Sequence, residues 1–102
     1  MAVIQLTKAN FVTEALQSDK PVLIDFYADW CGPCKLVAPI VQELSEENMD
    51  YKVCKLNVDD APEIAAQYNV LSIPTLIILR EGKVVEQVVG ARGKDAIKAM
   101  LK

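Results

Sequence analysis

Cys31 and Cys34 stand at C-x-x-C spacing in the run Trp30-Cys31-Gly32-Pro33-Cys34-Lys35. Two sulfurs that close together in the chain can form a disulfide and open it again. An apolar stretch, Pro21 to Ala28, leads into them and predicts a strand that feeds the first turn of a helix. A thiol at a helix N-terminus meets unpaired N–H groups and the positive end of the dipole, which favour its thiolate. The thiolate is the form that attacks disulfides. Cys31, ahead of the helix body, is therefore expected to be the exposed nucleophile. Cys34, one turn in, is expected to be shielded and to resolve the mixed disulfide. Pro33 fixes φ between them and, with Gly32, restricts the turn.

Metal binding is the competing use of such a pair. Structural zinc wants four ligands, and an iron–sulfur cluster wants four cysteines. The chain has three cysteines and no histidine. Haem attachment needs histidine directly after the second cysteine, where Lys35 stands. No metal site is expected, unless two chains shared a cluster.

Asp25 interrupts the apolar strand between Ile24 and Phe26. A carboxylate there is costly to ionise, and its pKa should rise. Two dull readings compete: the side chain escapes to solvent near the strand end, or it partners a lysine structurally. Burial beside the dithiol is favoured, because perturbed acids gather at reactive sites. Cys54, between Val53 and Lys55, reads as a small buried apolar residue. A regulatory thiol is the alternative.

Composition bounds the rest. The 102 residues suit one domain, 1–102, and 52% apolar content supplies a core without disulfide staples. The net charge is −3, which gives nucleic-acid binding no electrostatic support. No apolar run approaches the roughly 20 residues that span a bilayer. The segment Met1-Ala2-Val3-Ile4-Gln5 lacks the marks of a signal peptide. The expected place is the cytoplasm, or an organelle stroma or matrix if a leader has been removed.

The elements that must hold these residues follow from period and punctuation. Val3 to Leu6 is a short strand. Thr7 caps a helix to about Leu16, with Phe11, Val12, Ala15 and Leu16 on one face. After the strand Pro21 to Tyr27, a helix runs from Cys31 or Gly32 to about Glu47, carrying Leu36, Val37, Ile40, Val41 and Leu44. Tyr51 to Val58 is a strand. Asp60-Ala61-Pro62-Glu63 reads as a capping box opening a helix to Tyr68, which Asn69 stops. Thr75 to Arg80 and Lys83 to Val89 form a hairpin across Glu81-Gly82. Gly90 ends the last strand, and a closing helix from about Lys94 to Leu101 buries Ala96, Ile97, Met100 and Leu101. The order βαβαβ then αββα predicts an α/β fold: one five-stranded mixed sheet flanked by four helices. Cys31 and Cys34 follow the C-terminal end of the second strand, where open α/β sheets place their sites.

The segment Val22 to Lys35 resembles the active-site segment of the thioredoxin family. Ser72-Ile73-Pro74-Thr75 resembles the family's second active-site loop, and Val89-Gly90-Ala91 its third. The likeness covers essentially the whole chain, in order and spacing. It implies the thioredoxin fold and a protein-disulfide reductase with no bound cofactor beyond the Cys31–Cys34 disulfide. It implies a thioredoxin reductase as donor, a flavoprotein or a ferredoxin-linked enzyme, disulfide-containing client proteins, and a monomer. Asp25 corresponds to the Asp that exchanges protons with the resolving cysteine through water. Lys55 matches the lysine near that Asp, or is an ordinary exposed lysine. Trp30, Ile73, Pro74 and Gly90 would form the substrate surface, with the Ile73–Pro74 bond cis. Tyr27 stands where many members carry Trp, which alters packing and leaves the chemistry intact. Other enzyme readings are an oxidase or isomerase of the same fold, which Gly32-Pro33 disfavours. A non-catalytic interaction module is the reading from a different class.

Overall fold

A computed structural model describes residues 3–47 and 50–101 of the chain. Met1 and Ala2, part of the segment read for a leader, lie outside the described residues. Five strands form one sheet: β1 (Ile4–Gln5), β2 (Val22–Tyr27), β3 (Lys52–Asn57), β4 (Thr75–Arg80) and β5 (Lys83–Val89). Their spatial order is β1-β3-β2-β4-β5. The first three run parallel, and β4 and β5 are antiparallel to their neighbours. The helices are α1 (Cys34–Glu47), α2 (Pro62–Gln67) and α3 (Lys94–Met100), preceded by a short π-type segment, Val12–Leu16.

β2 is central, which explains why nearly every residue in it is apolar. Its side chains alternate between two cores. Val22, Ile24 and Phe26 join Cys54, Leu56, Ile77 and Leu79 under Phe11, Ala15, Ile64 and Ala65. Leu23 joins Val53, Leu76 and Ile78 under Val37, Val41 and Leu44 of α1 and Ile97 of α3. Each such aliphatic side chain contributes about 1.5–3 kcal/mol on burial. The period of two puts Asp25 on the same face as Leu23, under α1. Its register partner on β3 is Lys55.

Several expectations need correction. Thr7 braces the turn before the first helical segment, its Oγ1 accepting the Asn10 N–H at 3.2 Å, while Phe11 holds the N-cap position without a side-chain bond. The helix it opens is wound wider, with the Gln17 N–H reaching the Val12 carbonyl. That rotation leaves Val12 outside, 51% exposed. Leu36 is also exposed, because α1 turns Val37, Val41 and Leu44 to the sheet instead. The helix begins at Cys34, later than Cys31 or Gly32, since the preceding turn bonds Lys35 to Gly32 and Leu36 to Pro33 at three-residue spacing. Asp60 does not cap α2. Ala61 holds that position without a side-chain bond, because the Asn57 carbonyl takes the N–H groups of both Asp60 and Ala61. Ala96 faces solvent, and Ile97 alone carries the fully buried contact of α3.

The β4–β5 hairpin and the helix stop at Asn69 match their sequence signals. Glu81 and Gly82 both have positive φ, 54° and 77°, the mirror-image turn that suits the twist of paired strands.

Candidate active site

The two cysteines close a disulfide where β2 runs out and α1 begins, with their Cα atoms 5.3 Å apart. The expectation that exposure separates them fails. Cys31 is 4% exposed and Cys34 3%. Cys31 is covered because its sulfur lies against the loop before β4, 3.7 Å from the Ile73 carbonyl oxygen. Ala28, Tyr27, Val58 and Ile73 pack around the pair. What differs is the partner each sulfur meets. The Cys34 N–H donates to the Cys31 Sγ at 3.2 Å, so the first turn of α1 aims a donor at Cys31. Cys34 instead borders a cavity that opens on one side to solvent.

That cavity, about 210 Å³, is lined by Cys34, Asp25, Lys55, Tyr27, Asp29 and Lys35, together with apolar residues of α1 and Val3. Asp25 is 3% exposed, and its buried Oδ1 has no hydrogen-bond partner among the described residues. Burial pushes its carboxyl up to about 7, against the opposing pull of the Lys55 ammonium. Desolvation outweighs attraction here because the low-dielectric wall covers the carboxyl while Lys55 remains half-buried at the rim. The structure thus brings Asp25, Lys55 and Cys34 to one space.

The other side of the disulfide is built by three loops. The Ile73–Pro74 peptide bond is cis, and Pro74 is buried. The Pro74 carbonyl accepts the Gly90 N–H at 2.8 Å, which joins the second loop to the third. Gly90 has φ of 96°, a conformation that L side chains resist, and a Cβ there would meet the Arg92 guanidinium. Trp30 is 70% exposed, Gly32 and Pro33 are exposed, and Ile73 is half-buried. A groove of about 390 Å³ runs between Trp30, Val58, Val70, Leu71, Ser72 and Ile73.

Sequence reasoning missed what holds this surface. The Trp30 indole N–H donates to Asp59 Oδ2 at 2.9 Å. Asn57 fixes Asp59 in turn, its Oδ1 accepting the Asp59 N–H at 2.9 Å. Asn-x-Asp after a strand is an Asx-turn signal and could have been found. Leu71, 93% exposed, was missed as well; a Leu in a loop between turn residues carried no periodic signal. Among the described residues no cluster of three or more His, Cys, Asp or Glu could hold a metal ion, and no helix is long and apolar enough to cross a membrane.

Comparison with known proteins agrees with this geometry. A family model described as Thioredoxin matches residues 2–102. A thioredoxin of Mycobacterium tuberculosis is 52% identical over 97 residues, 94% of this chain and 84% of that protein. A thioredoxin of Alicyclobacillus acidocaldarius is 48% identical over 101 residues, 98% of this chain and 95% of its own. A bifunctional thioredoxin reductase/thioredoxin of Mycobacterium leprae is 50% identical over 95 residues, 92% of this chain and 21% of the longer protein.

Proposed function

The chain belongs to the thioredoxin family and is a thiol–disulfide oxidoreductase, and on that premise we propose how its residues divide the work. Cys31 attacks a client disulfide as the thiolate, forming a mixed disulfide and releasing one client thiol. Cys34 then attacks the Cys31 sulfur. Its proton passes to the Asp25 carboxylate across the shared cavity, the second client sulfur leaves as a thiolate that takes a proton from solvent, and the Cys31–Cys34 disulfide remains. The observation that carries this division is the asymmetry of partners: a backbone donor on Cys31, an acid at pKa about 7 beside Cys34. An acid poised near the operating pH is suited to both take up and return a proton.

Clients are proteins that can present an extended disulfide segment. Ile73 would pair with that segment through its backbone, Gly90 would leave it room, and Trp30 with Leu71 would cover its apolar side. Gly32 and Pro33 keep the turn compact, a composition that supports reduction over oxidation or isomerisation. Electrons enter through the cysteine pair itself, with no bound cofactor. The fused Mycobacterium leprae relative supports a thioredoxin reductase as donor. A flavoprotein or a ferredoxin-linked enzyme would each serve. The working place is a reducing compartment, and the working form a monomer.

The test is trapping. Cys34→Ser should accumulate a mixed disulfide through Cys31, and Cys31→Ser should accumulate none. Trapping through Cys34 in the second variant, with none in the first, would falsify the division. Turnover of insulin disulfides with a thioredoxin reductase should be lost in both variants.

A further inference from the structure

We propose that Tyr27 and Gln5 are positioning residues, holding the Lys55 ammonium at the rim of the cavity so that its charge acts on Asp25. The proposal rests on the reading of Asp25 as the proton partner of Cys34. Strand register assembles the group. Gln5 of β1 and Asp25 of β2 both lie opposite Lys55 of β3, one on each side. Tyr27, two residues beyond Asp25, falls on the same face. The Tyr27 O–H donates to Gln5 Oε1 at 3.1 Å. The Gln5 Nε2 reaches the Lys55 carbonyl at 3.5 Å. The Lys55 Nζ stands 5.8 Å from the Tyr27 ring centroid, within range of a cation–π contact.

The physical need for such a hold is plain. A lysine ammonium is strongly hydrated and sits on a flexible stem, so a free one is drawn out into water. Its influence on a carboxyl falls with distance and with solvent between them. An aromatic face fixed from behind by Gln5 keeps the cation at the cavity mouth. The other titratable groups facing Asp25 are Asp29 and Lys35, with Cys34 when reduced; its β4 partner, Leu76, carries no charge. Tyr27 also packs beside the cysteines and lines this cavity, whereas Gln5 does neither, so Gln5→Leu isolates the hold on Lys55.

The sign of the effect separates this from simple packing. Tyr27→Leu removes bulk beside Asp25, which by admitting water would lower the Asp25 midpoint. Loss of the hold on Lys55 would raise it. We would follow the Asp25 carboxyl carbon by NMR in the reduced, full-length protein. Tyr27→Leu should raise the midpoint, lowering the ionised-to-neutral ratio at pH 7 by about two- to fivefold, the ceiling set by an exposed cation–π hold. Gln5→Leu and Tyr27→Phe should raise it less, and Tyr27→Trp should restore it. In a Lys55→Met background none of these changes should move it upward. An unchanged or lowered midpoint in Tyr27→Leu, or the same rise with and without Lys55, overturns the proposal. If Tyr27→Leu does not fold, Gln5→Leu with and without Lys55→Met decides by the same criterion. The readout is independent of turnover. An Asp25→Asn variant with undiminished exchange would remove the mechanistic role of Asp25 and leave the positioning result standing.

Discussion

Cys54 and Asp25 occupy adjacent register rows of the β2–β3 ladder, where Ile24 pairs with Cys54 and Asp25 with Lys55. One residue of offset sends them to opposite faces of the sheet. Both are buried, and burial is the main cause of both pKa shifts: the Cys54 thiol is pushed up to about 12, the Asp25 carboxyl to about 7. The consequences differ. Cys54 is neutral anyway at physiological pH, so its environment, packed among Ile24, Leu56 and Ile77, only deepens its inertness. Asp25 would be ionised in water. Its environment brings it to the midpoint of its titration, beside a cation, a sulfur and a cavity. Desolvation alone silences a thiol. Desolvation with access and a partner makes a carboxyl usable.

The comparison is broken most forcefully at Asp25. Asp25→Asn should slow disulfide exchange by roughly 10²-fold near neutral pH, the scale of a lost acid–base partner. The same change should stabilise the fold. With the native carboxyl raised, the native state is neutral and the unfolded chain ionised between about pH 4 and pH 7. Stability of the parent therefore falls as pH rises through that window and then levels off. The gain of the variant should be near zero below pH 4 and grow to at most about 4 kcal/mol above pH 7, by the free energy of a roughly three-unit shift. Denaturant unfolding at pH 4, 5.5 and 8 checks it; a gain independent of pH would contradict the buried-acid reading.

Lys55→Met sharpens the contrast from the other side. Removing the Lys55 ammonium, which pulls the Asp25 pKa down, should move the pH profile of exchange to higher pH. A fixed profile would mean that Lys55 acts too far away to matter.

Cys54→Ala should show the smallest change. Exchange should stay within about twofold of the parent, at a stability cost of about 1 kcal/mol for the lost buried sulfur. In native protein Cys54 should resist alkylation until unfolding exposes it. Loss of turnover, or alkylation as fast as that of reduced Cys31, would place Cys54 in the chemistry.

What was legible in the chain was what local rules govern. Thr75 to Arg80 and Lys83 to Val89 were bounded as observed, because a hairpin turn and β-rich runs are written in consecutive residues. The anomaly of an acid in an apolar strand marked Asp25, and C-x-x-C spacing marked the disulfide. Local rules also set the misreadings. Helical period grouped Leu36 with Val37, yet only the position of the sheet beneath α1 decides which of two neighbours is covered. Asp60 had the right chemistry for a cap, but the Asn57 carbonyl set the turn one residue differently.

The sequence by itself determined the chemistry: which sulfurs can pair, which residue is a misplaced acid, and the family whose motifs they form. The tertiary structure decided how that chemistry is poised. That Cys31 is covered by Ile73, that Trp30 is tied to Asp59, and that Tyr27 meets both Gln5 and Lys55 are all contacts between residues far apart in the chain. Spacing along a chain constrains neighbours within a turn or two. Strand register and helix docking choose which distant side chains share a cavity, and a pKa depends on that company.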